Sequence, residues 1–148
     1  MARFAAGVKT GAGSTTLPLM SLFSQAVTDI QVLEVGVFNT TTTAFDVKLA
    51  RISSGPGTVG SGLVEACLDN PSVTSQGQAF TTHTAGAPNL VDLGYRASIG
   101  AAIGAGMVWT FGGMGVEIPA TAGTAAGMCV VVENGSGQAA QVYFVWNE

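Results

Sequence analysis

Ile30 to Ile52 reads IQVLEVGVFNTTTTAFDVKLARI, and its apolar residues recur at every second position. Leu33, Val35 and Val37 alternate with Glu34 and Gly36, while Phe45, Val47 and Leu49 alternate with Asp46, Lys48 and Ala50. This is the spacing of half-buried strands, whose successive side chains point to opposite faces. Asn39-Thr40-Thr41-Thr42-Thr43 lies between them as a polar loop. A hairpin satisfies both faces in one register, with Val37 opposite Phe45, Val35 opposite Val47, Leu33 opposite Leu49, and Glu34 opposite Lys48 on the outside. The stretch predicts a β fold and carries no chemistry.

On its N-terminal side, Met1 to Thr16 mixes Gly7, Gly11 and Gly13 with small residues and has only Phe4 and Val8 as apolar anchors. It reads as an extended arm, either pinned on a neighbouring subunit or free as a tail. Residues 17–148 then form one domain, opening with a short edge strand or irregular entry over Leu17 to Phe23.

On the C-terminal side, Ser53 to Gly62 is a loop by composition. Its Gly55-Pro56-Gly57-Thr58-Val59-Gly60 satisfies a G-x-G-x-x-G pattern, but Pro56 and Gly62 oppose the helix that a dinucleotide site needs, and Asp69 comes too early for the ribose. Leu63 to Leu68 is a strand or one helical turn, Asp69 to Ser72 a turn, and Ala79 to Thr84 a strand. Leu90 to Ile99 resumes the alternation. Ala97 to Val116 contains no charge, yet six glycines and the lack of leucine make it a poor membrane span. A turn over Gly100 to Gly106 and a buried strand over Met107 to Phe111 suit it better, followed by a short strand, Val116 to Ile118. Pro119 to Thr124 is a loop. Gly127 to Glu133 is apolar on both faces and needs two covers: the facing sheet and, for the second, a symmetry mate as in a trimer. After the Asn134-Gly135 turn, Gln141 to Trp146 is the last strand.

Eight to ten short strands with glycine-rich turns and no amphipathic helix predict an all-β, single-domain β-sandwich, jelly-roll-like in topology. Charged residues are only 9 % of the chain, and glycine contributes 21 residues. A surface so poor in charge is built of small polar groups or covered by other chains, which favours an assembly subunit over a monomeric enzyme. The net charge of −4 and five scattered basic residues offer no phosphate-neutralising run, so nucleic acid is not an expected partner. Nothing near Met1 marks the chain for export. Cys67 and Cys129 are too few for a disulfide scaffold and read as small buried hydrophobes, with a bridge as the alternative.

Chemistry is sparse. His83 is the single histidine, no serine lies in a G-x-S-x-G, and neither metal-ligand spacing nor paired carboxylates can be read. No catalytic, cofactor or metal residue is therefore expected. Trp109, Tyr143 and Trp146 could line a sugar site, although such residues more often anchor a core or an interface.

The series LEVGVFNTTTTAFDVKLARI, FTTHT, DLGYR, GAAIGAGMVWTFGG and QVYFVWNE resembles small structural proteins from the head-gene regions of tailed bacteriophages, over Val32 to Glu148. The resemblance implies a virion protein made in the host cytoplasm, a head decoration or cement protein. Such proteins are commonly trimeric β-sandwiches seated on the outer capsid lattice, with the major capsid protein as partner. On that expectation Met128, Val130, Val132 and Trp109 would form the oligomer interface, and Arg3, Phe4, Val8 and Lys9 on the arm would contact the capsid. The alternative is a carbohydrate- or receptor-binding module of a head or tail fibre.

Overall fold

The structure, a computed structural model, describes residues 1–121 and 126–148. The loop expected over Pro119 to Thr124 lies outside the described residues from position 122 onward. Among the described residues there are eleven strands: β1 (Arg3–Lys9), β2 (Met20–Phe23), β3 (Ile30–Asn39), β4 (Phe45–Ser54), β5 (Ala66–Cys67), β6 (Gln78–Phe80), β7 (Asn89–Ile99), β8 (Gly106–Thr110), β9 (Val116–Ile118), β10 (Gly127–Val132) and β11 (Ala140–Asn147). No helix occurs among the described residues. The strands form two antiparallel sheets packed as a β-sandwich, the fold class that the alternating pattern predicts. The first sheet runs β5-β1-β11-β3-β8, with β9 also paired to β3, and the second runs β6-β2-β10-β4-β7.

Ile30 to Ile52 does form two strands, but they do not make a hairpin. β3 pairs with β11, β8 and β9, whereas β4 pairs with β10 and β7 in the other sheet. The chain arches across the core between them. Val35 and Val37 therefore meet the layer of Phe45, Val47 and Leu49 face to face in one buried cluster, not side by side on one sheet. Each such side chain removed from water stabilises by roughly 1.5–3 kcal/mol. The expected Glu34–Lys48 pair is absent as a consequence: Glu34 accepts a hydrogen bond from Tyr143, and Lys48 lies 3.7 Å from Asp92. Leu33 is also displaced. A bulge opposite Val145 and Trp146 takes it out of register, and Val32 fills the core position instead.

Met1 to Thr16 is not an arm. β1 lies inside the first sheet between β5 and β11, in register from Arg3↔Asn147 to Lys9↔Gln141. Phe4 and Ala6 enter the core at alternate positions, and Val8 follows them half-buried. A boundary at residue 16 would cut through the sandwich. β2 is likewise interior, flanked by β6 and β10 with all four residues buried, not an edge. β8 departs in the opposite sense, since it lies at a sheet edge and only Trp109 is buried among its five residues.

β10 is buried on both faces, as its composition requires, but the chain supplies both covers itself. Met128 and Val130 face the main core. Cys129 and Val131 form a second cluster with Phe23, Ala50 and Ile52, against which pack Val59 and Phe80, from the long excursion between β4 and β7, and Leu90 of β7 itself. At the opposite flank the Glu148 carboxylate holds the excursion near its middle, accepting from Trp146 Nε1 and from the backbone amides of Gln76 and Gly77 at 2.7–2.8 Å.

Candidate functional site

The residues expected at an oligomer interface are core residues. Met128, Val130 and Val132 have no exposed surface, and Trp109 keeps only 8 %. A side chain already enclosed by its own chain has nothing left to bury against a neighbour. The expected capsid contacts divide by strand alternation. Phe4 is buried against Trp146, with ring centroids 6.0 Å apart, and Val8 faces the core, whereas Arg3 and Lys9 point outward. Arg3 is paired with Asp69 at 3.1 Å. Trp146 is also buried, so of the three aromatics considered for a sugar site only Tyr143 faces outward.

His83 is brought to Ser21, with Nε2 and Oγ 2.8 Å apart. This has the outline of a base and a nucleophile, but Ser21 is fully enclosed and His83 is 2 % exposed. No substrate reaches the pair as it stands, and among the described residues no acid forms a hydrogen bond with Nδ1 to orient it. Burial lowers the His83 pKa, opposed in part by the nearby Pro56 carbonyl. The arrangement suits a polar tie under the excursion, where the His83 amide also donates to the Pro18 carbonyl at 3.0 Å.

No group of three or more histidine, cysteine or acidic side chains among the described residues could hold a metal. Cys67 and Cys129 are free thiols, one in each sheet. No helix among the described residues is long and apolar enough to cross a membrane.

Two surface features remain. The first is an ion network on the outer face of the second sheet. Asp92 lies between Lys48 and Arg96, and Arg96 Nε donates to Glu133 at 2.8 Å. Asp92 sits in a bulge of β7, where its Oδ1 accepts from the amide of Gly94, a residue held at φ +82°. That amide and the two cations lower the Asp92 pKa. Beside the network opens a cleft of about 330 Å³ lined by Asp46, Arg96, Ala97, Ser98, Glu133 and Asn134. Its cation is already satisfied by carboxylates, so it offers little to a charged ligand.

The second is the flank where the β7 and β8 edges lie together, joined by an edge-to-face contact of Tyr95 with Phe111 at 5.2 Å. Val91, Tyr95, Ile103, Met107 and Met114 are exposed on these two strands and the turns that follow them, Ile103 at 72 % and Met114 at 81 %. The Ala97 to Val116 run, which holds Ile103, Met107 and Met114, carries no charge, whereas Val91 and Tyr95 alternate along β7 with Asp92 and Arg96. The uncharged run is visible in the sequence; its exposure is not, because an apolar strand reads as buried until its place at an edge is known.

No family model, curated protein or solved structure matches the chain.

Proposed function

We propose that the chain is a non-enzymatic virion protein, a jelly-roll subunit that self-associates, most simply as a trimer, and reinforces the outer head lattice of a tailed bacteriophage against its major capsid protein. The strand order supports the jelly-roll part. Eight strands fall into β1-β11-β3-β8 and β2-β10-β4-β7, and from each of these eight to the next the chain changes sheet, except from β4 to β7.

The observation that carries self-association is the set of exposed apolar side chains along the β7–β8 flank. Large apolar side chains left in water on one side of a small protein mark a surface that another chain covers. Two strand edges that no described strand pairs with lie on the same side and add backbone donors and acceptors to it. Attachment to the shell rests on the resemblance of Val32 to Glu148 to phage head proteins. With β1 part of the sandwich, no detached arm enters the proposal.

Sedimentation velocity of the wild type and of Ile103→Lys and Met107→Lys tests the self-association. The expected result is an oligomer for the wild type, monomer for the variants, and loss of binding to undecorated heads with loss of the oligomer. A wild type that stays monomeric at high concentration would contradict it.

A further inference from the structure

The outer face of the first sheet carries two aromatic rings laid flat on the backbone. Tyr143 of β11 leans over Gly36 of β3, and Phe38 of β3 leans over Gly106 of β8; a Cβ at either glycine would overlap the ring above it. The ring planes differ by 12° and the centroids are 6.5 Å apart. Since each ring covers a different strand, they lie side by side as one surface. The Tyr143 hydroxyl donates to Glu34 at 2.6 Å, which fixes the ring's direction. Burial, with the Glu34 carboxylate adding to it, pushes the phenol's pKa up to about 12, so it stays a donor.

The pairing registers place the surroundings. Gly7, Tyr143, Gly36 and Val108 form one row across four strands, so Tyr143 has no side chain on either immediate side. The row above holds Lys9, Gln141 and Phe38, and the row below holds Ala5, Val145, Glu34 and Thr110. The result is an aromatic platform on the sheet face, bordered by amine, amide, carboxylate and hydroxyl groups. With strands about 4.8 Å apart, three strands give it a length of roughly two or three sugar rings.

We propose that this platform binds a short, neutral, pyranose-containing glycan. The apolar C–H face of a pyranose packs on a flat π surface, and its equatorial hydroxyls reach the bordering groups. Lys9 and Glu34 carry opposite charges, which removes any preference for an ionic ligand. The site does not depend on self-association through the β7–β8 flank.

The test is an amide NMR titration of the ¹⁵N-labelled protein with cellotriose, chitotriose and mannotriose. With at least one probe, saturable shifts are expected at Gly7, Gly36, Gly106 and Tyr143, with a Kd of about 1 mM or below. Tyr143→Leu and Phe38→Ala weaken that binding about tenfold or more, while Tyr143→Phe, which keeps the platform, retains most of it. Should ring removal unfold the sheet, Gln141→Ala at the exposed border supplies the reading, with weaker binding expected at an unchanged melting temperature. The proposal fails if none of the three probes gives saturable shifts by about 10 mM. It fails equally if Tyr143→Leu or Gln141→Ala binds as the wild type does. Platform shifts that follow protein concentration and not sugar would assign the face to a second copy of the chain and overturn it.

Discussion

The side-chain amide of Asn39 donates to the carbonyl of Gly100 at 2.8 Å, joining the tip of the β3–β4 arch to a loop 61 residues away. The same nitrogen donates to Thr43 at 2.8 Å, and Oδ1 accepts from the Thr41 amide and hydroxyl. Asn39 is buried, so each of these groups depends on it. Asn39→Ala is expected to lower stability by about 2–4 kcal/mol, since removing one partner strands several buried polar groups. Asn39→Asp costs more, because it aims a carboxylate at two carbonyl oxygens. Urea midpoints for the two variants check the order.

Met128 and Ile103 make opposite predictions. Met128→Ala opens a cavity in an enclosed core and is expected to cost about 2–5 kcal/mol whatever the protein concentration. Ile103→Lys, at an exposed position, is expected to change monomer stability by less than about 0.5 kcal/mol while abolishing the oligomer. Denaturation at two concentrations, with sedimentation on the same samples, separates them.

The thiols differ in the same way. Cys129 is fully enclosed and its pKa is raised by desolvation, so the reactive thiolate is suppressed. A thiol reagent such as iodoacetamide is expected to label Cys67 alone in the native protein and both cysteines in denaturant, read by mass spectrometry. Equal labelling of both in the native state would mean that the second cluster on β10 is open.

His83 gives the fold an acid sensitivity. Its folded pKa lies below the unfolded value of 6.5, so below pH 6.5 the unfolded chain binds more protons and stability falls as pH drops. Above that value the contribution is fully present. His83→Gln is expected to flatten the melting temperature between pH 6.5 and pH 5 relative to the wild type, the rest of the acid response being carried by groups such as Asp92 at lower pH.

Period-two alternation made the sandwich legible because it states which side chains leave water. It does not state which strand lies alongside. Val35 and Val47 satisfy the pattern equally as cross-strand neighbours in a hairpin and as opposed layers of a sandwich, and the arch held by Asn39 decides for the second. Phe4, Ala6 and Val8 of β1 already alternate, but Ala6 and Gly7 lowered the apolar signal below that of a strand. The dry second face of β10 was legible as a fact and misassigned in its cover, because Val59, Phe80 and Leu90 are brought to it by long-range packing. The aromatic platform was out of reach, since Gly36 and Gly106 acquire meaning only when Tyr143 and Phe38 are seen lying on them.

Cryo-electron microscopy of purified particles carrying the chain tests shell reinforcement most directly. Density for the sandwich is predicted on the outer head surface, in clusters around lattice symmetry axes, with the β7–β8 flanks of neighbouring copies in contact. Particles in which the chain is missing from the shell, or is present only as isolated copies on a fibre, would contradict it.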